Sequence, residues 1–161
     1  MRRFLTAGIV LLLDQAAKAI VVARFSAYTV VPVIPGLFRL VRVENRGMAF
    51  GLFGDSSTDV GFALLTLVSG ATLAFVAFLL WKNQPSSALG GTGLSFILGG
   101  AAGNVLDRLV RGKVIDFLDF YIGRHHWPAF NLADSAIVIG AGLLLLYLLC
   151  TRTPSPRHDR S

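Results

Sequence analysis

The sequence predicts an all-α membrane protein: four transmembrane helices with a small extramembrane β-sheet between helices 1 and 2. Three observations carry that prediction. Four stretches stay apolar for about 20 residues, the length that crosses a bilayer core as a helix. Only 15% of the 161 residues are charged, 54% are hydrophobic and the mean hydropathy is +0.66, whereas a soluble domain carries roughly 25% charged residues. Between the first two apolar stretches the chain reads strand, turn, strand.

The first span is expected over Phe4 to Val22. Met1-Arg2-Arg3 ahead of an apolar run resembles a secretory signal, and Ala17-Lys18-Ala19 resembles a cleavage site. The run is interrupted by Asp14 and continues past Lys18. A signal h-region is shorter and uncharged, so a retained helix is the expectation. The next segment holds Val30-Val31-Pro32-Val33-Ile34, then Pro35-Gly36, then Leu37-Phe38-Arg39-Leu40-Val41-Arg42-Val43. β-Branched runs around a Pro-Gly pair give two strands and a turn, a small sheet resting on one membrane face.

The second span is expected over Val60 to Trp81, followed by a short polar link, Lys82 to Ala88. The third runs from about Leu89 to Val110 and the fourth from about Leu132 to Cys150. Their connection, Arg111 to Asn131, carries Phe117, Phe120, Tyr121, Trp127 and Phe130, aromatics suited to the membrane interface. Residues 1–150 therefore form a single membrane domain with an extramembrane cradle at about 24–57. The tail 151–161, with Pro154 and Pro156, is expected to be disordered.

The formal net charge is +6 and the isoelectric point about 10.3. The Lys and Arg residues are scattered through short connections rather than arrayed as a stripe. They read as loops beside anionic headgroups, not as a nucleic-acid surface. Cys150 is the one cysteine, so neither a disulfide framework nor a thiolate metal site is expected. Charge counts on the two sides do not settle orientation. Arg2-Arg3 before the first span favours a cytoplasmic N-terminus, and an even number of spans returns the C-terminus to that side.

Ionisable residues inside spans are costly and by default mark function. Asp14 and Lys18 lie at i and i+4 in span one, on one helix face. They are either a local ion pair that lets the helix insert or part of a site. Span three ends in Gly99-Gly100-Ala101-Ala102-Gly103-Asn104-Val105-Leu106-Asp107-Arg108. Gly99 and Gly103 make a GxxxG step for close helix approach. Asn104, Asp107 and Arg108 share a face and favour a site over interhelical glue. Asp116 stands among apolar residues just past span three, and Asp134 lies in the first turn of span four. The helix dipole gives Asp134 an innocent reading; Asp116 has none. Asp119 is the weaker candidate, read as an exposed partner.

Two carboxylates that meet cannot both ionise, so one proton is shared. One member then takes a proton from water while the other donates to the carbonyl under attack. Other hydrolytic chemistries lack parts: there is no HExxH and no GxSxG, and His125-His126 reads as an interfacial polar pair rather than a metal site.

The segments Asp14-Gln15-Ala16-Ala17-Lys18, Glu44-Asn45-Arg46-Gly47-Met48-Ala49-Phe50, Gly99 to Arg108, Val114-Ile115-Asp116-Phe117 and Phe130-Asn131-Leu132-Ala133-Asp134 resemble the lipoprotein signal peptidase (signal peptidase II) family. Each motif is modest alone. Five in the family's order on a four-span chain are specific, and no motif position departs. The resemblance implies a bacterial cytoplasmic-membrane aspartyl endopeptidase that cuts prolipoproteins just before a lipid-modified cysteine. It implies Asp116 and Asp134 as the catalytic dyad and Asn45, Asn104 and Arg108 as holders of the substrate backbone. Asp14, Lys18, Asp107, Gly47 and Asn131 would support the pocket, and Phe117 to Trp127 would act as a flap. It implies an active site near the extracytoplasmic face and no cofactor. It further implies inhibition by the cyclic depsipeptide globomycin. Membrane lipids are expected partners, and a monomer is the expected state. The residues themselves leave open a proton-coupled transporter or channel, which would show inverted repeats or broken helices, and a non-enzymatic anchoring protein.

Overall fold

The computed structural model describes residues 2–46, 59–82 and 87–151. Among the described residues, four helices are long and apolar enough to cross a membrane: α1 (Arg2–Arg24), α2 (Asp59–Lys82), α3 (Ala88–Arg111) and α4 (Leu132–Thr151). Each span expected from the sequence lies within its helix, one or two residues short at most ends. Four strands accompany them: β1 (Val31–Ile34), β2 (Phe38–Asn45), β3 (Val114–Ile122) and β4 (His125–His126), in the order β1-β2-β3-β4.

The helices are not equivalent. Of the apolar window of α3, 61% is buried, against 22%, 11% and 17% for α1, α2 and α4. α3 is the central post, packed against the other three. In lipid the apolar effect does not drive helices together, so close backbone approach has to do so. A Cβ added at Gly99 would lie 2.5 Å from the Ala7 carbonyl oxygen of α1. One added at Gly93 would lie 2.7 Å from the Gly140 carbonyl oxygen of α4. α3 begins on a Ser87 cap whose side chain accepts from Leu89 N–H, and ends at Gly112, left-handed at φ 66°. Ala7, Val76, Leu80, Leu94 and Leu98 form an apolar cluster joining α1, α2 and α3.

The sheet between α1 and α2 is present, with Gly36 at φ 81° in the turn between β1 and β2. It is larger than the sequence suggested. β2 pairs antiparallel with β3, drawn from the connection read as an aromatic interfacial link. Half of the expected flap is thus a paired strand: Phe117 is buried with Ile115 and Val21 beneath the sheet. Asp119, expected to be exposed, is buried, because register places it opposite Arg39 and beside His126. Burial follows from strand pairing across 80 positions, which no local pattern announces.

Candidate active site

The site forms where the C-terminal end of α3, the N-terminal end of α4 and the sheet converge. Three local devices assemble it. β2 is irregular between Leu40 and Val43, and past that point Val43 faces Asp116. Phe130 pairs with Leu118, its N–H donating to the Leu118 carbonyl and its carbonyl accepting from Leu118 N–H. This seats the start of α4 against β3. Asn131 then caps α4: its Oδ1 accepts from Asp134 N–H at 2.9 Å, while its own N–H donates to Asp134 Oδ2 at 3.2 Å. That reciprocal exchange is a capping box. The innocent reading of Asp134 is therefore satisfied by one carboxylate oxygen, and the other is left for the site.

That second oxygen, Oδ1, accepts from Asn104 Nδ2 at 2.7 Å. Asp116 accepts from Asn131 Nδ2 at 2.7 Å and from Asn45 Nδ2 at 3.1 Å. Asn131, fully buried, thus bridges the two aspartates, and its Nδ2 also reaches Asn104 Oδ1 at 3.2 Å. Arg108 donates to the Asn104 carbonyl at 3.2 Å, and its guanidinium feels the charges of Asp134, Asp116 and Asp107. Burial pushes the Asp116 carboxyl up to about 6, an effect reinforced by the charge of Asp134 and opposed by the hydrogen bonds from Asn45 and Asn131.

Beneath these residues lies a fully buried ionic cluster. Lys18 Nζ sits 2.8 Å from Asp14 Oδ2, 2.7 Å from Asp107 Oδ2 and 3.0 Å from Asn104 Oδ1. Asp14 Oδ1 accepts from Ala133 N–H at 2.9 Å, tying α1 to α4. Asp107 also pairs with Arg111 and accepts from Ile115 N–H, tying α3 to β3. Asp14 and Lys18 form an ion pair, and Lys18 also reaches the Asn104 side chain.

Of the residues singled out from sequence, Asp14, Lys18, Asn45, Asn104, Asp107, Arg108, Asp116, Asn131 and Asp134 are brought together. Gly47 lies outside the described residues. Gln15 was missed, although its Nε2 lies 3.2 Å from Asp14 Oδ2, the Gly103 carbonyl and Asp107 Oδ1, and its Oε1 accepts from Arg111 at 2.9 Å. Its place beside Asp14 was the available signal. Also unread were Ser69 and Thr72 of α2. With Val68 they line one side of a cavity of about 260 Å³ whose other side holds Asn104, Arg108 and Asp134. His126 is 3.1 Å from Asp119 in the sheet. Among the described residues no group of His, Cys, Asp and Glu could hold a metal ion.

The fold and site define a multi-pass membrane protein with two aspartates held in one hydrogen-bonded cluster at the end of a four-helix bundle. The family model for signal peptidase II matches residues 6–150. A protein of Solibacter usitatus named lipoprotein signal peptidase is 47% identical over 143 residues, covering 89% of this chain and 87% of that one. A Burkholderia cenocepacia protein of the same name is 50% identical over 137 residues, covering 85% and 81%. A solved structure described as a bacterial membrane enzyme superposes with a TM-score of 0.80 at 26% identity, covering 99% of this chain and 93% of that one. The chain belongs to the signal peptidase II family, a family of peptidases.

Proposed function

We propose that the chain is an intramembrane aspartyl endopeptidase. It removes signal peptides from diacylglyceryl-modified prolipoproteins, cutting just before the lipid-modified cysteine. The observation that carries this reading is the pair Asp116 and Asp134, bridged by Asn131, with Asp134 bordering a cavity between α2, α3 and α4.

The chemistry follows from that pair. Asp116, buried and pushed up to about 6, exchanges a proton near neutral pH. Two neighbouring carboxyls then share one proton. The ionised member takes a proton from water as the water oxygen bonds to the scissile carbonyl carbon, and the protonated member donates its proton to the carbonyl oxygen. As the resulting gem-diol collapses and the C–N bond breaks, that proton returns to its carboxyl and the water-derived proton passes to the leaving amide nitrogen. Arg108 and Asn104, on the cavity wall, supply donors for the substrate backbone, and Asn45 holds Asp116 from the sheet side. The site lies at one end of the bundle, so a lipid-anchored substrate arriving laterally meets it at headgroup depth, where water is available. With both termini cytoplasmic, that end faces outward across the bacterial cytoplasmic membrane. A globomycin-type cyclic peptide would occupy the same cavity.

The test uses purified protein in detergent and a lipobox peptide carrying a diacylglyceryl cysteine, with products read by mass spectrometry. Wild type cuts immediately before the cysteine. Asp116→Asn and Asp134→Asn fold normally and lose at least about 10³-fold in rate, since each removes one of the two proton-transfer partners. Normal processing by either variant would sink the dyad assignment.

A further inference from the structure

We propose that Lys18 is a positioning residue of the dyad, acting through Asn104 to fix which end of that amide faces Asp134. This rests on the peptidase reading and adds a residue that never touches substrate in that mechanism.

An ammonium has three donors and no acceptor. Lys18, fully buried, directs them at Asp14 Oδ2, Asp107 Oδ2 and Asn104 Oδ1. Charge pairing alone is met by the two carboxylates; the third donor goes to a neutral side chain of the site. Asn104 Oδ1 also accepts from Asn131 Nδ2 at 3.2 Å. The oxygen end is thus held by two donors, and the nitrogen end is left to donate to Asp134 Oδ1 at 2.7 Å. Turning the amide over would set its NH₂ against an ammonium and another NH₂, and its oxygen against a carboxylate. The arrangement also requires α1 to lie close to α3. Gly103 provides that: a Cβ there would meet Asp14 Oδ2 at 2.6 Å.

The experiment is a double-mutant cycle on cleavage of the diacylglyceryl lipobox peptide, with Lys18→Met measured in the Asn104 and Asn104→Ala backgrounds. With Asn104 present, Lys18→Met lowers kcat about 10- to 100-fold, within the coupling range of residues in one hydrogen-bond network, with KM nearly unchanged. In Asn104→Ala it costs nothing further. Equal losses in both backgrounds overturn the inference while leaving the peptidase reading intact. A wild type that cuts nothing overturns the reading and the inference with it. Where Lys18→Met fails to fold, or Asn104→Ala is inactive, the charge-matched Lys18→Met/Asp14→Asn variant decides. Wild-type thermal stability with kcat still depressed supports positioning. Recovery of kcat with charge balance shows a purely structural role and overturns it.

Discussion

Two carboxylate pairs lie within one hydrogen-bonded network and are held in opposite ways. Asp14 and Asp107 share a buried ammonium, and Asp107 has Arg111 as well. Asp116 and Asp134 take their hydrogen bonds from neutral donors: the amides of Asn45, Asn104 and Asn131 and a backbone N–H. A carboxylate tied to a cation is fixed and serves architecture. A buried carboxylate held by amides keeps its position without an ion pair of its own. On the proposed function, partner type more than burial separates the structural pair from the reactive one.

The largest expected effect strikes the ion-paired set. Asp107 joins α3 to α1 through Lys18 and to β3 through Ile115 N–H. Asp107→Ala leaves Arg111 without this carboxylate and Lys18 with Asp14 and the Asn104 amide oxygen. Removing one member of a buried ion pair costs about 3–5 kcal/mol. The thermal midpoint in detergent, read by intrinsic fluorescence, drops accordingly. A loss below about 1 kcal/mol would mean the cluster is not what holds this end of the bundle together.

Asp116, of the amide-held pair, responds to pH instead. Asp116 is raised from 3.8 to about 6. Below pH 4 both folded and unfolded chains carry the proton. Between about 4 and 6 the folded state holds a proton that the unfolded state has released, so stability falls as pH rises through that window. Above 6 the full cost stands, at most about 3 kcal/mol from 1.36 kcal/mol per unit. Asp116→Asn removes the dependence. The difference in unfolding midpoint between variant and wild type moves in the variant's favour from pH 4 to 6, then levels off. A flat difference across that range would show that Asp116 does not hold its proton in this way.

How far the sequence exposed this contrast depends on the element. The spans were legible because α1, α2 and α4 turn most of their surface outward, and an apolar run of bilayer length is visible without tertiary knowledge. The aspartates of the site were legible because a charge in such a run demands a reason. β3 was not: Val114 to Ile122 acquires its role by pairing with β2 across α2 and α3, and its apolar residues read equally well as an interfacial loop. The partner assignments were hidden for the same reason. Nothing local says that Asp107 meets Lys18 while Asp134 meets Asn104, since both contacts cross helices more than 25 residues apart. Gln15 was passed over because one amide at a helix surface has a bland reading.

A third carboxylate tests the rule on the sheet. Asp119 lies on the same strand as Asp116, three residues on, but its partners are Arg39 at 2.6 Å and His126 at 3.1 Å. Hydrogen bonds from His126 and Arg39 hold its carboxyl below the usual range against the opposing effect of burial. By partner type Asp119 belongs with the structural set despite its place beside the dyad. Arg39 and His126 are both partly exposed, so solvent screens the cluster and its worth is small. Arg39→Ala costs about 0.5–1 kcal/mol, less in high salt, and leaves cleavage of the lipobox peptide within about twofold. Thermal midpoints at low and high salt, with initial cleavage rates alongside, check both statements. If Arg39→Ala folded normally yet stopped cleavage, Asp119 would belong with the dyad, and partner type would no longer separate reactive from structural carboxylates in this chain.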